Sequence, residues 1–339
     1  MSSLAEQWLR PRRPRESFPP YELGDRDIVS LVEQRTEKIG RIYHKGHELA
    51  WNGKQVLAEL VARHGGIHFP EDKKAAMGRV ASTLLWGELA AWSISADLAL
   101  RLDDTNAKMA ASSQVFDEAR HFYTLRDYLW AAGIEVPRLN GYGHTLLVGL
   151  LETDNLLHKL VGMQLLVENV AICLFKMIAA AGIEPVLTDL LYYFERDEAR
   201  HVGLGAMMLP RILADLPPAD AARLWWFQLR IQMLLVGGGI VLRDDFAALG
   251  VDQAEMQRQG FRLQVEVFRR MQKEYGGDRQ GDRRRATRGM FGMSRQGQER
   301  INRFLFPGRQ VPELPRWHAM ALTGLLKVAE NGERWLRPS

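Results

Sequence analysis

The sequence predicts an all-α protein, and three observations carry that prediction. Apolar residues recur at helical spacing through long segments, while the strict alternation of a half-buried strand is hard to find. Strong helix formers, chiefly alanine, leucine and methionine, fill those segments. A five-residue word, Asp117-Glu118-Ala119-Arg120-His121, returns unchanged eighty positions later as Asp197-Glu198-Ala199-Arg200-His201. Its glutamate and histidine stand three apart, a spacing that puts both on one face of a helix.

The elements follow in order. Residues 1–24 read as a basic, proline-rich arm, with Arg10, Arg12, Arg13 and Arg15 set among Pro11, Pro14, Pro19 and Pro20. No apolar run follows those arginines, so the arm does not read as a signal peptide. Residues 25–339 read as a single all-helical domain. Asp25 to His64 carries one or two helices, stopped by Gly65-Gly66. Four long helical segments then make a core at about 72–213: Asp72 to Leu102, Asn106 to Ala132, Thr145 to Ala181 and Pro185 to Leu213. Turn signals separate them at Asp103-Asp104-Thr105, at Gly133 to Gly143 with Pro137, and at Gly182. Ala219 to Phe246, Asp252 to Tyr275 and Pro315 to Leu336 read as further helices. The most apolar stretch, Leu224 to Leu242, is interrupted by Arg230 and Gly237-Gly238-Gly239 and reads as a buried core helix, not a membrane span.

Composition narrows the class. With 46% hydrophobic and 25% charged residues, the chain reads as a soluble globular protein. Its one cysteine, Cys173, excludes an internal disulfide and suits a reducing cytoplasm. A net charge of +4 is too small to argue for nucleic acid. Basic residues concentrate in the arm and between Arg269 and Arg303, where Arg283-Arg284-Arg285 and several glycines read as a solvated loop. Docking of an acidic partner is the other reading of that stretch.

The repeat carries chemistry as well as geometry. Glu88 precedes Glu118 by thirty residues, and Glu168 precedes Glu198 by the same thirty. The midpoints of these intervals, residues 103 and 183, fall at turn signals. Each half is therefore an antiparallel hairpin, and at ~1.5 Å per residue each ligand stands ~22 Å from its bend. Two such hairpins bring six side chains together: Glu88, Glu118 and His121 with Glu168, Glu198 and His201. Carboxylates are hard donors and imidazole a borderline one, so the set suits iron or manganese, and the lack of thiolate excludes an iron–sulfur cluster. Asp117 and Asp197 are expected to accept the N–H of a ligand histidine, and Arg120 and Arg200 to pair with those acids. Leu85, Trp86 and Trp92 near Glu88 mark an apolar neighbourhood, as do Leu165 and Ile172 near Glu168. His44 and His47 read as a surface pair, Cys173 as a buried structural cysteine, and Tyr123, Tyr128, Tyr192 and Tyr193 as core packing.

At these positions the chain resembles the ferritin-like diiron carboxylate oxidoreductases. That group includes bacterial multicomponent monooxygenase hydroxylases, acyl-carrier-protein desaturases, arylamine N-oxygenases and the small subunit of class I ribonucleotide reductase. The resemblance covers roughly residues 75 to 205 and is closest in motif to the monooxygenase and N-oxygenase branches. It implies a ferritin-like four-helix bundle with additional N- and C-terminal helices. It also implies two iron ions, or a manganese–iron pair, with O2 as co-substrate. The implied activity is that of a non-haem diiron oxidase or monooxygenase acting on a small or medium organic substrate. The alternatives are a manganese–iron ligand-binding oxidase of the same fold and a non-catalytic iron-binding or ferroxidase protein. No flavin or nicotinamide fingerprint is present, so the resemblance implies an external electron donor, a reductase or ferredoxin, and by analogy a homodimer. Four positions depart from the branches: Leu125 where tyrosyl-radical subunits keep a tyrosine, Ala171 and Ile172 where hydroxylases keep a threonine at one or the other, and Phe194 where N-oxygenases add a histidine.

Overall fold

Each half of the repeat folds as a helical hairpin, and the two hairpins face each other. The computed structural model describes residues 26–275, 285–290, 320, 323–328 and 331. The arm 1–24, the greater part of 269–303 and most of Pro315 to Leu336 lie outside the described residues. In chain order the helices are α1 (Arg26–Glu48), α2 (Gly53–His64), α3 (Glu71–Arg101), α4 (Thr105–Ala131) and α5 (Gly141–Glu152). There follow α6 (Leu156–Ala181), α7 (Pro185–Ala214), α8 (Pro218–Val241), α9 (Arg243–Leu249) and α10 (Gln253–Tyr275).

Helices α3, α4, α7 and α6 close into a four-membered ring, each packed on the next. The turns that define the hairpins have local causes. Asp104 caps α4 by accepting from Ala107 N, and Glu184 caps α7 by accepting from Leu187 N. Pro185 pre-sets the first turn of α7, and Gly182 ends α6 in the left-handed conformation at φ 58°. The remaining helices form outer layers: α1 and α2 cover the α4–α7 side, α5, α8 and α9 cover the α3–α6 side, and α10 lies on α6 and α7.

Two apolar cores fill the bundle, one on each side of a polar band. One gathers Ile94, Leu98, Leu160, Leu204 and Leu209, the other Met77, Leu125, Phe175, Leu187 and Phe194. Burying each such side chain contributes roughly 1.5–3 kcal/mol. The first core holds the α3–α4 turn and the second the α6–α7 turn, so the hairpins point in opposite directions. Gly205 lets α7 approach α6 closely, since a Cβ there would lie 2.9 Å from that of Gln164.

Several boundaries differ from the sequence expectation. Thr145 to Ala181 is not one helix: Asn155 accepts from Leu157 N and His158 N, starting α6 afresh after a break at 153–155. The apolar periodicity runs through this break and hides it. Ala219 to Phe246 likewise divides at Leu242, whereas Asp25 to His64 is two helices, one of the two arrangements expected, the second capped by Asn52. Asp252 to Tyr275 is a helix as expected, and its last turns carry the first part of the basic stretch, Arg269 to Tyr275. Among the described residues two helices, α6 and α8, are long and apolar enough to cross a membrane by composition. The most apolar window of α6 is 78% buried inside the protein, as a core helix should be, but that of α8 is only 39% buried. Helix α8 is thus a half-buried covering helix: Leu224, Phe227 and Ile231 face inward while Val241 is exposed.

Candidate metal centre

The polar band is where the repeated word lies. Glu88 comes from α3, Glu118 and His121 from α4, Glu168 from α6, Glu198 and His201 from α7, and all six are buried. They form two overlapping groups, each able to hold a metal ion: Glu88, Glu118, Glu198 with His121, and Glu118, Glu168, Glu198 with His201. The ligand atoms of each group lie within 4.8 Å of one another. Glu118 and Glu198 belong to both groups and reach both imidazoles. His201 Nδ1 is 3.0 Å from Glu118 Oε1 and 2.8 Å from Glu198 Oε2, while His121 Nδ1 is 3.1 Å from Glu198 Oε1 and 3.8 Å from Glu118 Oε2. Glu88 stands 3.3 Å from His121 Nδ1. Glu118 and Glu198 are thus common to both groups, whereas Glu88 and Glu168 each belong to one.

The outer nitrogens of the imidazoles face the aspartates, in a crossed arrangement. Asp197 of α7 sits 3.2 Å from His121 Nε2 on α4, and Asp117 of α4 sits 3.2 Å from His201 Nε2 on α7. The opposed hairpins produce this exchange. A proton on Nε2 shared with aspartate leaves Nδ1 free to face the cluster. Arg120 donates to both aspartates, while Arg200 donates to Asp117 and is ion-paired with Asp197 at 2.9 Å, closing a largely buried four-residue ring.

Charge is regulated by burial and by these neighbours. Burial pushes the Glu88 and Glu168 carboxyls well above the usual range, and the adjacent carboxylates reinforce the effect. Burial also opposes charge on both histidines, but the surrounding acids outweigh it and hold both well above the ordinary value. Burial acts upward on Glu198, yet His201 and His121 keep it well below the carboxylate range. Without metal the cluster is therefore balanced by protons. Glu88 Oε2, Glu118 Oε2 and His121 Nδ1 are buried with no hydrogen-bond partner. Leaving such atoms unsatisfied costs ~1–3 kcal/mol each, so metal ions that took them as ligands would fit the donor set and its burial.

Three residues at the site carry no mark in the repeat. Gln114 Nε2 donates to Glu118 Oε1 and Glu168 Oε1, each at 2.9 Å, and to Gln164 Oε1 at 3.1 Å. Gln164 Nε2 donates back to Gln114 Oε1 at 2.9 Å. Each glutamine stands four residues before a ligand glutamate, a signal that was readable. Trp51, in the loop between α1 and α2, donates Nε1 to Asp197 Oδ2 at 2.7 Å and lies under the Arg120 guanidinium. Nothing in its local sequence announces that contact. The chain from Leu160 to Val167 is wound as a π-helix, which sets Gln164 and Glu168 into the band.

Other expectations sort as follows. Trp86 is exposed, because two residues are ~200° of helix and Glu88 points inward; Trp92 lies on the exposed flank. Tyr192 is also exposed, whereas Tyr128 is buried and donates to Glu184. Cys173 is buried among apolar residues, its thiol pushed up to about 11 by burial. His44 and His47 are on the surface.

An apolar cavity opens beside Glu88 and Glu168, on the side away from the histidines. It encloses about 170 Å³ between α3, α5, α6 and α8, with Leu147, Ala171, Leu174 and Leu235 in its walls. Thr83 also lines it, and the Thr83 hydroxyl is buried without a partner.

The comparison with known structures agrees with the architecture. A structure described as an R2-like ligand-binding oxidase with an aerobically reconstituted metal cofactor after photoconversion superposes with a TM-score of 0.53. The identity is 15%, over 68% of this chain and 92% of that one. The fold is ferritin-like. Two point mutants of an R2-like ligand-binding oxidase with Mn/Fe cofactors also match, at TM-scores of 0.48 and 0.47 and 18% identity. Each match covers 68% of this chain, and 91% and 93% of those chains respectively. No known protein family matches by sequence, and no curated protein does.

Proposed function

We propose that the chain is an O2-dependent oxidase with a dinuclear metal centre, acting on a small or medium, largely apolar organic molecule. The observation that carries this reading is the placement of two overlapping metal-binding groups directly against an apolar cavity. In this account Glu118 and Glu198, common to both groups, would be shared between the two ions, and Glu88, Glu168, His121 and His201 would complete the set that holds them. Two bound iron ions, or a manganese–iron pair, would supply the activation of O2 and accept electrons in steps. The apolar walls orient the substrate against the glutamate side and keep water out. The unpartnered Thr83 hydroxyl offers one hydrogen bond to a polar group on that substrate. Asp117 and Asp197 fix the histidine tautomers and do not touch substrate.

The reaction is read as oxidase or monooxygenase chemistry in a cytoplasmic protein, with electrons supplied by a separate reductase or ferredoxin. A homodimer is the assembly that goes with this reading. The description of the structural neighbour favours one variant, a ligand-binding oxidase of the same fold; elemental analysis of metal loaded in the cell would separate a manganese–iron centre from a diiron one. The test is O2 uptake by anaerobically loaded protein exposed to a panel of apolar substrates. Ala171→Trp fills the cavity without removing a ligand. It should abolish substrate-dependent uptake and leave metal content unchanged; undiminished turnover would rule out the cavity as the substrate site.

A further inference from the structure

A second cleft lies on the opposite side of the bundle, between α1, α7 and α10. Lys38, Arg41 and Lys45 form its α1 wall, Arg270 its α10 wall and Arg200 its floor. Among the described lining residues Glu48 is the only acid. Lys38, Arg41 and Lys45 are held by Glu274, Glu37 and Glu48, but these pairs are solvent-exposed and therefore weak and easily exchanged. Arg270 makes no ion pair among the described residues, and its guanidinium rests over Gly203, where a Cβ would meet Nη2 at 3.4 Å.

The floor connects this cleft to the metal centre. The Arg200 side chain is 9% exposed, and its Nε is buried without a hydrogen-bond partner. Its Nη2 donates to Asp117 Oδ2 at 2.8 Å, and that oxygen lies 3.2 Å from His201 Nε2. Two polar contacts thus separate the cleft from a metal-facing imidazole. The apolar cavity is on the far, glutamate side, so anything docked here leaves the substrate path open.

We propose that this cleft docks an acidic surface of the protein that supplies electrons, a one-electron iron–sulfur or flavin carrier. The proposal rests on the oxidase reading above. An open cleft walled by long, exposed basic side chains suits the carboxylate-rich face of a macromolecule better than an enclosed small ion. Each docking passes one electron: the carrier is oxidised by one, and one ion of the centre goes from trivalent to divalent. Two dockings restore the divalent pair.

The experiment uses full-length, metal-loaded, oxidised protein and a reduced acidic [2Fe–2S] ferredoxin as the probe. Anaerobic stopped-flow absorbance follows reduction of the centre, with reduced methyl viologen as a small cationic reductant for comparison. The wild-type rate with ferredoxin should fall steeply with ionic strength. The double variant Arg41→Glu/Arg270→Glu should lose about tenfold or more in the ferredoxin rate while its viologen rate holds. Arg138→Glu, a charge reversal beyond α4 on the other side, should leave both rates within about twofold. An unchanged ferredoxin rate in the double variant overturns the docking site. So does an equal loss with viologen, which would mark damage to the centre, or a wild-type centre that viologen reduces and ferredoxin does not. Failure to load metal at all would sink the oxidase reading, and this proposal with it.

Discussion

Asp197→Asn removes one charge from the buried ring and tests both its energetics and its crossed connectivity. Asp197 accepts from Trp51 Nε1 at 2.7 Å and Arg120 Nη2 at 2.8 Å, and it pairs with Arg200 Nη2 at 2.9 Å and His121 Nε2 at 3.2 Å. Without its charge, the buried Arg120 and the largely buried Arg200 share Asp117 alone. Breaking a buried pair in this way costs about 3–5 kcal/mol, a large part of a total stability of roughly 5–15 kcal/mol. Urea denaturation of the metal-free protein should show that loss. Nitrogen-15 NMR of labelled histidine, assigned with His121→Gln and His201→Gln, supplies the second readout. Because Asp197 helps hold His121 protonated, the variant should lower the titration midpoint of His121, on the other hairpin, and leave that of His201 nearly unmoved. A stability loss below about 1 kcal/mol, or a shift centred on His201, would refute the ring and its crossing.

Two further perturbations probe the frame around the site. Gly78→Ala would place a Cβ 2.1 Å from the backbone oxygen of Glu135, so α3 must move; thermal unfolding should register a loss of about 1–3 kcal/mol or more, and an unchanged melting temperature would contradict the packing. His158 stacks on Phe227 at 4.0 Å between ring centroids, and burial, aided by Arg230 and Arg223, pushes it down to about 3. Its folded value lies below its unfolded value of ~6.5, so its contribution is fully present above ~6.5 and is lost as the pH falls towards 3. Between pH 7 and 4 that loss is about 3 kcal/mol, and His158→Phe should flatten the slope; parallel stability curves for the two proteins would count against a buried neutral His158.

The parts of this fold that were legible in the sequence are those tied to the helical period. The doubled word and its paired glutamates prescribed four helices, two turns and a common height for six side chains, and those six meet in one band. What the sequence hid was set by packing. The break at 153–155 lies inside continuous apolar periodicity, and the π-helical segment from Leu160 to Val167 is apolar on nearly every face, so neither disturbs the pattern. Trp51 lies 146 positions from the aspartate it binds and has no repeat partner. The exchange of Asp117 and Asp197 between hairpins follows from the opposed directions of the two halves, which spacing alone leaves undetermined. Gln114 and Gln164 were the recoverable omission, because each stands one helical turn before a ligand glutamate.

The central claim is that six buried side chains hold two metal ions. Its most direct test is anaerobic loading with Fe(II) or Mn(II), followed by elemental analysis and anomalous diffraction on the same preparation. The account predicts two ions per chain, two anomalous peaks between Glu118 and Glu198, and Nδ1 of His121 and His201 each bound to a different ion. A single peak, a peak outside the six residues, or far less than two ions per chain would contradict it.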